Sequence, residues 1–223
     1  MDPVCQPELV IFDCDGVLID SQAIQCQIDA RELTSLGFPV TPSELAQAFI
    51  GRTTRDVIDH VEGMLGRALP DSFEADRDQL VELAYRSELR AIAGVAEVLE
   101  EIGVPFCVAS NATMQRLRYV LGLTGLLPHF EGRLFGVDLV SRPKPAPDLF
   151  LLAARTMNIA SDRCLVIEDS ETGVRAGVAA GMSVLGFHGG GHCYPGYETR
   201  LMEAGAMRAF SDMRALPSLL QAL

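Results

Sequence analysis

Four short apolar runs recur along the chain, and each ends on polar or acidic residues: Leu9–Asp13 (LVIFD), Val104–Ser110 (VPFCVAS), Leu134–Asp138 (LFGVD) and Cys164–Asp169 (CLVIED). Met182–Phe187 (MSVLGF) makes a fifth and Met207–Phe210 a short sixth. Most are continuous, not alternating, as expected of strands covered on both faces in a parallel sheet. Helical spacing fills the gaps over Val95–Ile102, Met114–Leu121, Asp148–Met157 and Thr172–Gly181. This alternation predicts right-handed βαβ crossovers and an open α/β sheet.

The alternation stops between about Ser21 and Arg90. Ala30–Leu36, Leu45–Ile50, Val57–Leu65 and Phe73–Leu89 carry apolar residues three or four apart, and Gly37, Pro39, Pro42, Gly51 and Pro70 punctuate them. An all-helical insert after the first strand follows. It divides the chain into a core of residues 1–19 and 91–223 and a helical domain of residues 20–90.

The ends of parallel strands are where ligands bind, at the carboxyl side. There the first strand delivers Asp13-Cys14-Asp15-Gly16, the second Ser110-Asn111 and the fourth Glu168-Asp169-Ser170; a Pro-punctuated loop carries Lys144. Carboxylates this close repel unless a cation lies among them, and clustered oxygens suit a hard ion such as Mg²⁺. Lys144, Ser110 and the backbone N–H groups near Cys14, Asp15 and Asn111 suit phosphate oxygens. The set describes a phosphoryl-transfer site. Asp13 and Asp15 stand two apart, so both project to one side of an extended chain, one to attack phosphorus and one to handle a proton. Taken singly, each residue has an ordinary reading as a turn, a helix cap or a solvated charge. The ordered set does not.

The runs FDCDGVLIDS, VASN, RPKPAPD and IEDSETGVRAGVAAGM resemble, in order and spacing, the motifs of the haloacid-dehalogenase-like (HAD) hydrolase superfamily over nearly the whole chain. The resemblance implies a Rossmann-like core with a parallel sheet flanked by helices, and a helical cap inserted after the first motif. It implies Asp13 as nucleophile and Asp15 as general acid/base that also offers its carbonyl to Mg²⁺. Ser110 and Lys144 would hold the phosphate, and Asp169 and Glu168 would hold Mg²⁺, the latter through water. Dehalogenases of the superfamily lack the second aspartate. Related beta-phosphoglucomutases carry a cap histidine and a cap arginine at positions that are Gln25 and Thr54 here, so a phosphatase is favoured over a sugar phosphomutase. A non-catalytic phosphometabolite-binding module is the third reading, and the intact acidic pair of the first motif speaks against it. The likeness is greatest to small bacterial phosphatases of sugar or polyol phosphates, the 6-phosphogluconate phosphatase group among them. Arg52, which with Arg55 flanks Thr54 in the cap segment after Gly51, is the candidate partner for a second anionic group on the substrate.

Composition narrows the partners. A formal charge of −12 over 223 residues opposes non-specific nucleic-acid binding. No apolar run approaches a membrane span, and the amino terminus does not read as a secretory signal. The six cysteines form no CxxC pair. A cytoplasmic protein, monomeric or a weak homo-oligomer, acting on a small phosphorylated metabolite, is expected. Three further features read as ordinary structure. His188, His192 and Cys193 share a Gly-rich loop without a fourth metal ligand, Asp20 caps or hinges the cap, and Glu74–Asp78 form a solvated helix face.

Overall fold

Each apolar run becomes a strand of one sheet. The computed structural model describes residues 6–49 and 54–223. Among them, β1 (Leu9–Phe12), β2 (Phe106–Ser110), β3 (Leu134–Gly136), β4 (Cys164–Glu168), β5 (Ser183–Phe187) and β6 (Arg208–Phe210) pair in the order β3-β2-β1-β4-β5-β6. Every pairing is parallel. β1 therefore lies between β2 and β4, where the chain reverses its direction of travel across the sheet. A crevice opens at such a switch point, beyond the carboxyl ends of the central strands.

The continuous apolar runs have the expected cause. Leu9, Val10, Ile11 and Phe12 are all buried, and they alternate between two separate cores. Val10 and Phe12 join one layer with Leu117, Phe130 and Leu216, whereas Leu9 and Ile11 join the other with Leu149, Val174 and Leu201. Helices cover both layers: α5 (Val95–Glu101), α6 (Met114–Leu123), α7 (Asp148–Thr156), α8 (Glu171–Ala179), α9 (Tyr197–Glu203) and α10 (Leu216–Gln221). Two of them begin on side-chain caps that release the chain from a strand end into a helix. Thr113 Oγ1 accepts from Arg116 N, and Ser170 Oγ accepts from Gly173 N. The fold is thus the α/β, Rossmann-like one expected. α9 and α10, short and separated by a three-residue strand, are elements that the sequence reading did not find.

Between β1 and β2 the chain forms α1 (Ser21–Ser35), α2 (Pro42–Phe49), α3 (Thr54–Leu65) and α4 (Phe73–Glu88). They bury their own cluster around Leu33, Leu45, Ile58, Val61 and Phe73. α1 and α4 also send Ile24, Ile28, Val81 and Tyr85 into the layer shared with the sheet. The insert is therefore packed onto the core as well as within itself. Its second helix starts at Pro42, three residues before the first apolar position of the pattern, because Thr41 and Glu44 form a reciprocal cap there. Among the described residues no helix is long and apolar enough to cross a membrane.

Candidate active site

β1 ends at Phe12, and Asp13 continues its register by donating its backbone N–H to Ile167 O of β4. The chain must then turn sharply. Gly16 makes the turn with a φ of +84°, in the left-handed region that side chains rarely adopt. Space demands glycine too, because a β-carbon there would overlap Asp169 Oδ2 and lie 2.9 Å from the His192 ring. Gly16→Ala should therefore lower Tm by about 4–8 °C, which a thermal melt will read.

The turn brings distant residues together. Asp13, Glu168 and Asp169 each place a carboxylate oxygen within 4.8 Å of the others, and all three are buried. Lys144, equally buried, inserts its ammonium among them. Its Nζ donates to Asp13 Oδ1 at 2.7 Å, Glu168 Oε1 at 2.7 Å and Ala109 O at 2.8 Å. Asn111 fixes the loop that carries it, since Oδ1 accepts from Lys144 N at 3.0 Å and Nδ2 donates to Lys144 O at 3.2 Å. Both ends of the Asn111 amide are thus engaged, which leaves its backbone N–H as the group it can offer a ligand. Ser110 sits beside Asp13 on the cleft wall, with Oγ accepting from Ala112 N. The Cys14 side chain is buried in the core.

The electrostatics are those of a site built for a cation. Three buried carboxylates outnumber their two buried cationic partners, the Lys144 ammonium and the His192 ring beside Asp169, an unfavourable balance in a low-dielectric surround. Burial pushes the Asp13 carboxyl well above the usual carboxylate range; Lys144 opposes the shift, and Glu168 and Asp169 add to it. Burial likewise raises Asp169, against the pull of His192. Among the described residues none hydrogen-bonds the buried Asp169 Oδ2, although His192 Nε2 stands 3.2 Å away at an ion-pair distance. A buried, under-coordinated carboxylate oxygen among hard oxygen donors fits a divalent ion such as Mg²⁺.

Asp15 belongs to the same turn and lines the same cleft, but different partners hold its carboxylate. Oδ1 accepts from Ser21 Oγ at 2.5 Å and from Arg116 Nη2 at 3.3 Å. Above it the cleft widens to about 770 Å³, with the insert as its other wall: Gln25 and Cys26 from α1, Leu45 and Phe49 from α2, Arg77 and Tyr85 from α4.

Of the sequence-predicted residues, the structure brings together Asp13, Asp15, Ser110, Asn111, Lys144, Glu168 and Asp169; Cys14, predicted to meet substrate, is buried in the core and is not among the residues that line the cleft. Arg52 lies outside the described residues. Arg55 is on the exposed side of α3, paired with Asp59. Three residues take places at the site that the sequence did not show. His192 is buried against Asp169 and edge-on to Tyr197; burial alone would lower its pKa, but Asp169 and Cys193 outweigh burial and push it up to about 10. Arg77 sits inside the stretch read as a solvated face. It turns inward to Asp29, to which it donates at 2.7 and 3.2 Å, and to Gln25. Arg116 was legible only as part of a helix. Asp20 does not cap α1 through its side chain; Oδ1 accepts from Gly191 N, tying the Gly-rich loop to the start of the insert.

Comparison with known proteins supplies the family and bears out the fold. The family described as haloacid dehalogenase-like hydrolase matches residues 7–181. The chain is 34% identical to the 6-phosphogluconate phosphatase of Escherichia coli over 190 residues, 84% of this chain and 86% of that protein. Among solved structures, a conserved haloacid dehalogenase-like protein of Agrobacterium tumefaciens superposes with a TM-score of 0.92 at 37% identity, covering 96% of this chain and 98% of the other. A HAD family hydrolase of Deinococcus radiodurans, solved with bound phosphate and sodium, gives a TM-score of 0.84 at 32% identity, with 98% of both chains covered.

Proposed function

The chain belongs to the haloacid dehalogenase-like hydrolase family, and from that premise we propose that it is a Mg²⁺-dependent phosphatase that hydrolyses a small sugar, sugar-acid or polyol phosphate through an aspartyl-phosphate. The observation that carries the reading is the buried convergence of Asp13, Glu168, Asp169 and Lys144 at the switch point of the sheet. A ligand-binding module has no need of both carboxylates of the first turn, Asp13 and Asp15, on the wall of one cleft.

In this reading Asp13, Asp169 and the carbonyl of Asp15 hold the ion, with Glu168 behind them. Mg²⁺ supplies positive charge that screens the carboxylates and the phosphoryl oxygens. Everything else is done by the chain. Lys144 and Ser110 take the remaining phosphate oxygens, together with backbone N–H groups after β1 and β2. An Asp13 oxygen attacks phosphorus in line with the leaving oxygen. Asp15 gives a proton to that oxygen, then recovers one from the water that splits the aspartyl-phosphate.

Residues 20–90 act as a cap that closes over the leaving group and excludes water while the first bond breaks. The cap wall is polar as well as apolar, with Gln25, Arg77 and Tyr85 beside Leu45 and Phe49, and the cleft of about 770 Å³ has room for a sugar phosphate. Water is the favoured acceptor in the second step. Gln25 stands where the related mutases carry histidine, and its amide, engaged with Tyr85 and Arg77, has no proton to exchange with a sugar.

The test is phosphate release from a panel of metabolite phosphomonoesters. Release should require Mg²⁺, fall to background in EDTA and return when the ion is restored. Sugar-phosphate isomers appearing in place of free phosphate would support the mutase instead, and turnover indifferent to EDTA would remove the metal from the scheme.

A further inference from the structure

Arg116 has no part in the scheme above, yet it is placed at its centre. It stands in the first turn of α6, on the core side of the cleft, and its guanidinium makes two contacts across it. Nη2 donates to Asp15 Oδ1 at 3.3 Å and to Tyr85 Oη of the cap at 3.0 Å. The guanidinium carbon lies 5.3 Å from the centre of the Tyr85 ring. Tyr85 is itself immobilised, only 1% exposed and accepting from Gln25 Nε2 at 2.7 Å.

The two oxygens of Asp15 are treated differently. Ser21 and Arg116 both donate to Oδ1, whereas Oδ2 receives no hydrogen bond from any described residue and belongs to a side chain on the cleft wall. An oxygen that accepts from two donors cannot carry a proton outward. The other oxygen must. We propose that Arg116 is a positioning residue for Asp15, bracing Oδ1 against the cap through Tyr85 so that Oδ2 is the oxygen that exchanges the proton with substrate. The inference rests on the phosphatase reading. In the first step an Asp13 oxygen forms a bond to phosphorus, and the bond from phosphorus to the leaving oxygen breaks. The electron pair stays on that oxygen, which takes the proton from Asp15 Oδ2. In the second step water attacks phosphorus, its proton passes to Oδ2, and the bond to Asp13 breaks.

This role has a signature that structural support lacks. A basic alkoxide needs the proton as it leaves; p-nitrophenolate does not. The value of kcat/KM reports only steps through departure of the leaving group, so it isolates the first proton transfer. The test measures kcat/KM of each variant relative to the wild type for ethyl, phenyl and p-nitrophenyl phosphate, so that binding of the ester group by the cap divides out and leaving-group pKa is what the series varies. Arg116→Met should lower kcat/KM about 100-fold for ethyl phosphate and less than about 3-fold for p-nitrophenyl phosphate, steepening its dependence on leaving-group pKa. Arg116→Lys should recover part of the loss on ethyl phosphate. Tyr85→Phe removes the brace without touching Asp15 and should steepen the same dependence by a smaller factor, which also serves if Arg116→Met does not fold. Equal losses on all three esters, or none in any variant, would overturn the proposal. The phosphatase reading fails separately, through a wild-type protein that hydrolyses none of the esters or an Asp13→Asn variant that hydrolyses them normally.

Discussion

Asp13→Asn should abolish phosphate release, by about 10⁴-fold or more, since removing a nucleophile removes the covalent route and leaves only binding and electrostatics. The substitution preserves volume, and the register of the turn depends on the backbone N–H of Asp13, which remains. Loss of activity therefore should come without loss of fold. Stability should even move the other way in metal-free buffer. The wild type holds three buried carboxylates against Lys144 and His192, and asparagine removes one negative charge from a cluster in which carboxylates outnumber cations. In EDTA the variant should melt at or above the wild-type temperature. In saturating Mg²⁺ the order should reverse, because an ion bound only by the folded state stabilises it in proportion to RT ln(1 + [L]/Kd), and the variant has lost a ligand. Phosphate release and paired melts with and without Mg²⁺ check both halves. Normal turnover of the variant would refute the nucleophile.

The site was legible to the extent that its residues sit next to strands. Asp13, Ser110 and Asp169 follow apolar runs whose burial dictates where they end, so chain order alone delivers them to one edge of the sheet. Lys144 was legible only because two prolines frame it; nothing in its neighbourhood says that Asn111 clamps its backbone from thirty-three residues away. The residues that escaped are those whose meaning is purely tertiary. Arg77 looks like one charge among Glu74, Asp76 and Asp78, and only the packing of α4 on α1 turns it towards Asp29. Arg116 lies on a helix that reads as amphipathic, where an arginine at the first turn carries no signal. His192 sits in a Gly-rich loop, and its burial against Asp169 follows from glycines at 16 and 190 that leave room for the ring. α9 and α10 were missed because seven- and six-residue helices offer too few turns for periodicity to show.

Lys144→Met should be the most damaging of the substitutions to stability. The side chain is 3% exposed, and its ammonium makes three hydrogen bonds and lies 4.6 Å over the Phe150 ring. Methionine has nearly the same length and suits the aromatic wall, so no cavity is expected. What it lacks is the charge. Asp13 and Glu168 would stay buried with no cation between them, and breaking a buried pair in this way costs about 3–5 kcal/mol, a fall in Tm on the order of 10 °C for a chain of this size. Mg²⁺ should narrow that deficit, since the ion can take over part of the compensation. It should not restore turnover, which should stay about 10³-fold down, because a charge shared among carboxylates is not a donor aimed at a phosphate oxygen. Lys144→Arg should fail to rescue as well. A planar guanidinium cannot direct donors to Asp13, Glu168 and Ala109 around a single point. A Lys144→Met protein that melts like the wild type in EDTA would show that the lysine does not balance these carboxylates.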